Sequence, residues 1–192
     1  MGMLGLETAL SVVIATMVET GEAGRQDEVE AYMYYLLAAE QGVTLTGRTL
    51  GIIGLGHVGR WVARLTQLLG IRVVACDPFL SAADLPDDLS GIELLPLTAL
   101  LDIADMVSIH TPLTRDGAHP TRHLLDAAEL ARLRPDAWLI NAARGPVIAN
   151  AALLQTLIQR AGTSFTAVLD VWEHEPALDP QLLQHVRYGS PH

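Results

Sequence analysis

An α/β fold built on a doubly wound parallel sheet is what this sequence predicts, from three observations. Short runs of branched apolar residues, too short for helices and bounded by turn residues, recur along the chain. Segments of helical periodicity alternate with them, which is the order of successive βαβ units. One such run, "TLGIIGLG" (Thr49–Gly56), ends in glycines where the next helical segment opens.

The elements follow in order. "MGMLGLETALSVVIATMV" is apolar, but Glu7 interrupts it, no basic residues precede it, and its uncharged part is too short to span a bilayer. It reads as a buried or partner-facing helix and not as a signal peptide. Glu19–Glu30 is polar and charged and marks a boundary, so that residues 1–27 form an apolar helix plus a polar linker and residues 28–192 one domain. Ala31–Gly42 has helical spacing and a glycine stop. After Thr49–Gly56 come a helix over Val58–Leu69, a strand over Ile71–Cys76, a loop rich in Pro and Asp, a short helix near Leu97–Ile103 and a strand over Met106–His110. A helix over Ala127–Leu133, a strand over Ala137–Asn141, a helix over Ala151–Ala161 and a strand over Phe165–Asp170 complete the series. No repeat or low-complexity tract interrupts it.

Composition narrows the function. Of the 192 residues, 50% are hydrophobic and 18% charged, which is a globular balance. With 12 basic against 22 acidic residues the net charge is −10. That balance works against nucleic acid and anionic membrane surfaces as partners. One cysteine, Cys76, permits no internal disulfide and no all-cysteine metal site, and suits a reducing cytoplasm. It reads as a small buried strand residue.

"GLGHVG" places Gly54, Gly56 and Gly59 in the GxGxxG spacing, with His57 and Val58 opening the helix. The spacing alone is weak, and the surrounding order strengthens it: strand, glycine turn, helix, then a second strand ending "ACDP", which sets Asp77 where a carboxylate accepts hydrogen bonds from a ribose. Glycines let the backbone approach a pyrophosphate, and the helix N-terminus adds free N–H groups and positive dipole. These features predict a Rossmann-type site for NAD, with Gly54, Gly56, His57, Val58, Gly59 and Asp77 as cofactor contacts. Asp77 would repel a 2′-phosphate, which favours NAD over NADP.

Three further stretches lie at the C-terminal ends of predicted strands, where open sheets place ligands: "SIHTPLT" (Ser108–Thr114), "LINAARGPVI" (Leu139–Ile148) and "LDVWEHEP" (Leu169–Pro176). Together with the glycine turn and the terminal "SPH" they resemble the D-2-hydroxyacid dehydrogenases, whose cofactor is NAD. The resemblance covers about Glu28–His192, making residues 28–192 the NAD-binding domain. Within the family, "CDP", "HTPLTRDGAHPTRHL" and "DVWEHEPALDPQLL" point to a branch acting on a small phosphorylated 2-hydroxy acid. Branches taking phosphoglycerate or a simple 2-oxo acid remain alternatives, as does a non-catalytic NAD-sensing interaction module.

By position, the resemblance implies that Arg144 holds the substrate carboxylate and 2-oxygen, a task its planar fork suits. It makes Glu175 and His192 an acid–base pair, the carboxylate keeping the imidazole protonated to donate to the 2-oxo oxygen. It sets Thr111 at the nicotinamide side and Asp170 at the carboxamide, although Asp170 could instead cap the next turn. Glu173 competes with Glu175, but only Glu175 precedes Pro176 as in the motif. His57, His110, His119, His123, His174 and His185 show no metal-ligand spacing, so no metal is expected; His110 is singled out only by its strand-end position. The chain departs from the family at Ala149, where relatives place an acidic residue, and in lacking a recognisable substrate-binding domain. The resemblance therefore implies a fragment ending at its catalytic histidine, and relatives imply a homodimer.

Overall fold

Alternation along each strand decides the layering. The computed structural model describes residues 47–68, 70–186 and 188–189. The helices expected in the opening stretch and over Ala31–Gly42, and His192, lie outside the described residues. Along β1 (Thr49–Ile53), Leu50 and Ile52 join one buried cluster and Ile53 the other. Strands β2 (Arg72–Cys76), β4 (Met106–Ile109), β5 (Trp138–Asn141) and β6 (Thr166–Leu169) divide in the same way: Val73, Met106, Ile140 and Val168 to one cluster, Val74, Val107, Leu139 and Leu169 to the other. A strand buried on both faces requires cover on both sides, the condition of a doubly wound sheet.

Helix α1 (His57–Leu68) covers one face through Val62 and Ala63. Helices α2 (Leu97–Ile103), α3 (Ala127–Arg132) and α4 (Asn150–Gln159) cover the other through Leu100, Leu101, Leu130, Leu153 and Leu157. With the short edge strands β3 (Glu93–Leu94) and β7 (Tyr188–Gly189), the sheet among the described residues has seven strands in the order β3-β2-β1-β4-β5-β6-β7, with every pairing parallel. The order reverses direction between β1 and β4, and it is there, outside the carboxyl ends of the strands, that such a sheet opens a crevice. Gly51 permits the tight seat of α2, since a Cβ there would lie 2.5 Å from Leu100 Cδ2.

Among the described residues the predicted series of strands and helices is present with boundaries within two residues, except that β1 ends at Ile53 and the rest of the Thr49–Gly56 run forms the glycine turn. The Pro/Asp-rich loop differs from expectation. It contains 3-10 turns at Ala82–Asp84 and Asp87–Leu89 and the edge strand β3 (Glu93–Leu94), and it buries Leu85, Leu89 and Ile92. A two-residue strand carries no periodicity to read; its pairing with β2 creates it. Helix α5 (Pro180–His185) and strand β7 (Tyr188–Gly189) were likewise not expected.

Candidate active site

The glycine turn is held shut by contacts that only glycine allows. Gly54 has φ +91°, and a Cβ on it would lie 2.9 Å from His110 O at the end of β4. A Cβ on Gly59 would lie 2.2 Å from Gly54 O, so α1 starts against the turn itself. Gly56 is different: a Cβ there would meet nothing within 4 Å. Space is kept above Gly56, beside the opening of α1.

Asp77 lies just beyond β2 and fastens this turn. Its Oδ2 accepts the Leu55 N–H at 2.9 Å and its Oδ1 the Phe79 N–H at 3.0 Å. A cleft of about 890 Å³ opens beside it, walled by Gly54, Gly56, Asp77, Leu95, His110 and Thr111 among others. Cys76, expected to be buried, is half-buried and forms part of this wall; burial, then the Asp77 charge, pushes its thiol up, so it stays protonated. His110 Nε2 lies 2.8 Å from Ser108 Oγ, and burial pushes the imidazole down to about 4, leaving it neutral at pH 7. Thr111 Oγ1 is buried and has no hydrogen-bond partner among the described residues. An unpaired hydroxyl in a cleft wall is costly unless a ligand completes it.

NAD fits these residues. The open space over Gly56 at a helix N-terminus suits a diphosphate, Asp77 suits a ribose, the apolar wall of Leu94, Leu95 and Leu97 suits an adenine, and Thr111 Oγ1 awaits a partner. Of the sequence-predicted cofactor residues, Gly54, Gly56, Asp77 and Thr111 meet in this cleft. Gly59 is buried behind the turn, and His57 and Val58 form the first residues of α1.

Arg144, Asp170 and Glu175 do not line the cleft; they lie beyond it at the ends of β5 and β6. Asn141 ends β5 and organises the turn there: its Nδ2 donates to Arg144 O at 3.1 Å and its Oδ1 accepts the Ala143 N–H at 3.1 Å. Arg144 is exposed and Gly145 is buried. A Cβ on Gly145 would lie 1.9 Å from Trp172 O, so the Arg144 turn rests directly on the backbone before Glu175. Asp170 is 7% exposed, and its N–H donates to Asn141 O at 3.0 Å. Glu175 is exposed, with its Oε1 accepting the Trp172 N–H at 2.5 Å.

Glu173, the competing carboxylate, has both oxygens engaged, Oε1 by His123 Nε2 and Oε2 by the Asn150 N–H at 3.0 Å. Burial pushes this carboxyl up, but the bonds from His123 and Asn150 and the nearby His123 and His174 outweigh it and hold it below the usual range. Sequence reasoning gave His123 no role, because its partner lies 50 residues away with no spacing signature. Nearest to a signal was the pair of carboxylates in "WEHEP" itself.

Comparison with known proteins agrees with this geometry. Residues 11–192 match the family described as D-isomer specific 2-hydroxyacid dehydrogenase, NAD binding domain. The chain is 46% identical over 156 residues to an erythronate-4-phosphate dehydrogenase of Pseudomonas aeruginosa, an alignment covering 81% of this chain and 39% of that protein. A glyoxylate reductase from Paecilomyes thermophila superposes with TM-score 0.66 at 28% identity, over 82% of this chain and 48% of that one. An NAD-complexed D-isomer specific 2-hydroxyacid dehydrogenase from Lactobacillus delbrueckii ssp. bulgaricus gives TM-score 0.63 at 25% identity, over 78% and 46%. The chain thus spans about two-fifths of the length of the curated relatives it matches.

Proposed function

We propose that this chain, which belongs to the D-isomer specific 2-hydroxyacid dehydrogenase family through its NAD-binding domain, carries the cofactor site and catalytic groups of an erythronate-4-phosphate dehydrogenase. The reaction is oxidation of 4-phospho-D-erythronate to its 2-oxo acid, a step in pyridoxal 5′-phosphate formation. What supports it most is the cleft: a glycine turn sealed onto β4 and left open above Gly56, with Asp77 beside it. The substrate class rests on relatives named for erythronate 4-phosphate.

In this reading Gly54, Gly56 and the first turn of α1, with His57 and Val58, hold the diphosphate of NAD, Asp77 the adenosine ribose, and Thr111 and Asp170 the nicotinamide side. When bound, NAD supplies the acceptor for the hydride that leaves C2. Arg144 binds the substrate carboxylate and 2-oxygen by paired hydrogen bonds, fixing C2 for transfer. His192 takes the hydroxyl proton, and Glu175 stabilises the imidazolium that results. In the reverse direction the same imidazolium returns the proton. The reading also takes the protein as cytoplasmic, in keeping with its single cysteine, and as a homodimer, by likeness to its family. No helix among the described residues is long and apolar enough to cross a membrane.

The test is an NADH fluorescence titration of the 192-residue chain, followed by a substrate panel with the complete dehydrogenase containing it. Saturable binding, and kcat/KM highest for 4-phospho-D-erythronate and lost in Arg144→Ala, are expected. Preference for phosphoglycerate or an unphosphorylated acid would overturn the substrate assignment, and failure to bind NADH the whole reading.

A further inference from the structure

Three loops meet at His123. It sits at φ +53°, a left-handed conformation uncommon for a side-chain-bearing residue. Its N–H donates to Pro146 O at 2.8 Å, within the turn that follows Arg144. Two residues on, the Leu125 N–H donates to Val147 O at 3.1 Å and Leu125 O accepts the Ala149 N–H at 3.0 Å, so a short parallel bridge runs along that turn. The imidazole goes elsewhere: Nε2 donates to Glu173 Oε1, in the turn that carries Glu175.

Glu173 extends the link. Its side chain is 8% exposed, and its second oxygen accepts the N–H of Asn150, the first residue of α4. The preceding residue, Ala149, gives that helix no side-chain cap, so a carboxylate from the neighbouring loop does. Arg122 lies 3.7 Å and His174 4.0 Å from the same carboxylate. A buried carboxylate with both oxygens hydrogen-bonded resists displacement, because moving it would strand a charge out of water. The backbone side of the junction is equally tight, with Gly145 against Trp172 O.

We infer that His123 and Glu173 form a positioning clamp, fixing the turn that presents Arg144 against the turn that presents Glu175. The two residues touch neither substrate nor cofactor in this assignment. They set how far apart the guanidinium and the carboxylate stand, and displacement of reacting groups by about 1 Å can cost on the order of a hundredfold in rate. The functional half of the inference rests on the roles proposed for Arg144 and Glu175; the mechanical half does not.

The experiment compares wild type with His123→Asn, which tolerates the left-handed backbone but is too short to reach Glu173, and with Glu173→Gln, whose Oε1 still accepts from the Asn150 N–H and whose Nε2 donates to His123 Nε2 once the imidazole takes its Nδ1–H tautomer. Amide hydrogen exchange on the 192-residue chain reads the clamp directly. In His123→Asn the amides of Val147, Asn150 and Trp172 are expected to exchange about tenfold faster while those of β4 and β5 stay protected. In the complete dehydrogenase kcat falls by about 10- to 100-fold, with NADH affinity held within about twofold and most of the rate restored in Glu173→Gln. Unchanged exchange at the three amides overturns the clamp. Loss of protection across β4 and β5 together with NADH affinity also overturns it, by showing a general structural role. If the wild-type complete protein neither binds NADH nor turns over, the proposed function fails instead, and the exchange data alone still decide the mechanical link.

Discussion

Asp77 Oδ2 accepts the backbone N–H of Leu55 at 2.9 Å, tying the end of β2 to the middle of the glycine turn on β1. The carboxylate that faces the cleft is thus also a strut of the turn that would cradle the diphosphate.

Asparagine and alanine at this position should therefore behave differently. Asp77→Asn keeps an acceptor for Leu55, loses the one that serves the Phe79 N–H and removes the charge offered to the ribose, so NADH affinity falls about tenfold with only a small drop in the thermal midpoint. Asp77→Ala removes the strut as well, and the affinity falls further with a measurable loss of stability. Fluorescence titration paired with a circular dichroism melt separates the two effects.

The glycines give a second contrast. A Cβ on Gly59 would collide with backbone, whereas one on Gly56 meets open space. Gly59→Ala is expected to lower both stability and NADH binding. Gly56→Ala should leave the melting temperature unchanged and weaken NADH by about tenfold or more, because its methyl occupies the room reserved for the ligand. Equal NADH affinity in Gly56→Ala and wild type would contradict the placement of the diphosphate.

Arg160 carries a stability prediction remote from the site. Its guanidinium donates to Arg134 O at 2.9 Å and to Leu133 O at 2.8 Å, and stands 4.8 Å from the centroid of the Phe165 ring. It thereby closes the C-terminal end of α3 and holds α4 to it. Arg160→Ala is expected to cost about 2 kcal/mol, read by urea denaturation. Arg160→Lys should recover less than half of that, since an ammonium can neither fork nor stack in the same way.

His110 predicts a pH dependence. Burial depresses its folded value from 6.5 to about 4, so between these limits the unfolded chain binds the extra proton and the folded chain does not. The stability it contributes is complete above pH 6.5 and is lost as pH falls toward about 4. Denaturation curves at pH 7.5, 6 and 5 should show the free energy of unfolding declining less steeply in His110→Gln than in wild type; parallel declines would assign the loss to other groups.

The glycine turn, Asp77 and the alternating strands were legible because their signals are local: a three-glycine spacing after a β-branched run, a carboxylate at the next strand end, periodicity within a few residues. Arg144 and Glu175 were read only as matches to a family pattern, and no spacing within the sequence predicts that Gly145 will rest on Trp172 O. The edge strand β3 and the buried Leu85, Leu89 and Ile92 escaped notice because partners, not propensity, define them.

By itself the sequence determined the doubly wound sheet, the NAD-type glycine turn and the carboxylate that serves it, because short-range sterics and periodicity encode all three. Only the tertiary structure decided what His123 and Glu173 do. Their roles depend on a left-handed backbone, a missing cap at Ala149 and a contact between loops 50 residues apart. Such a contact exists only once packing has excluded water from it, and no local pattern announces it.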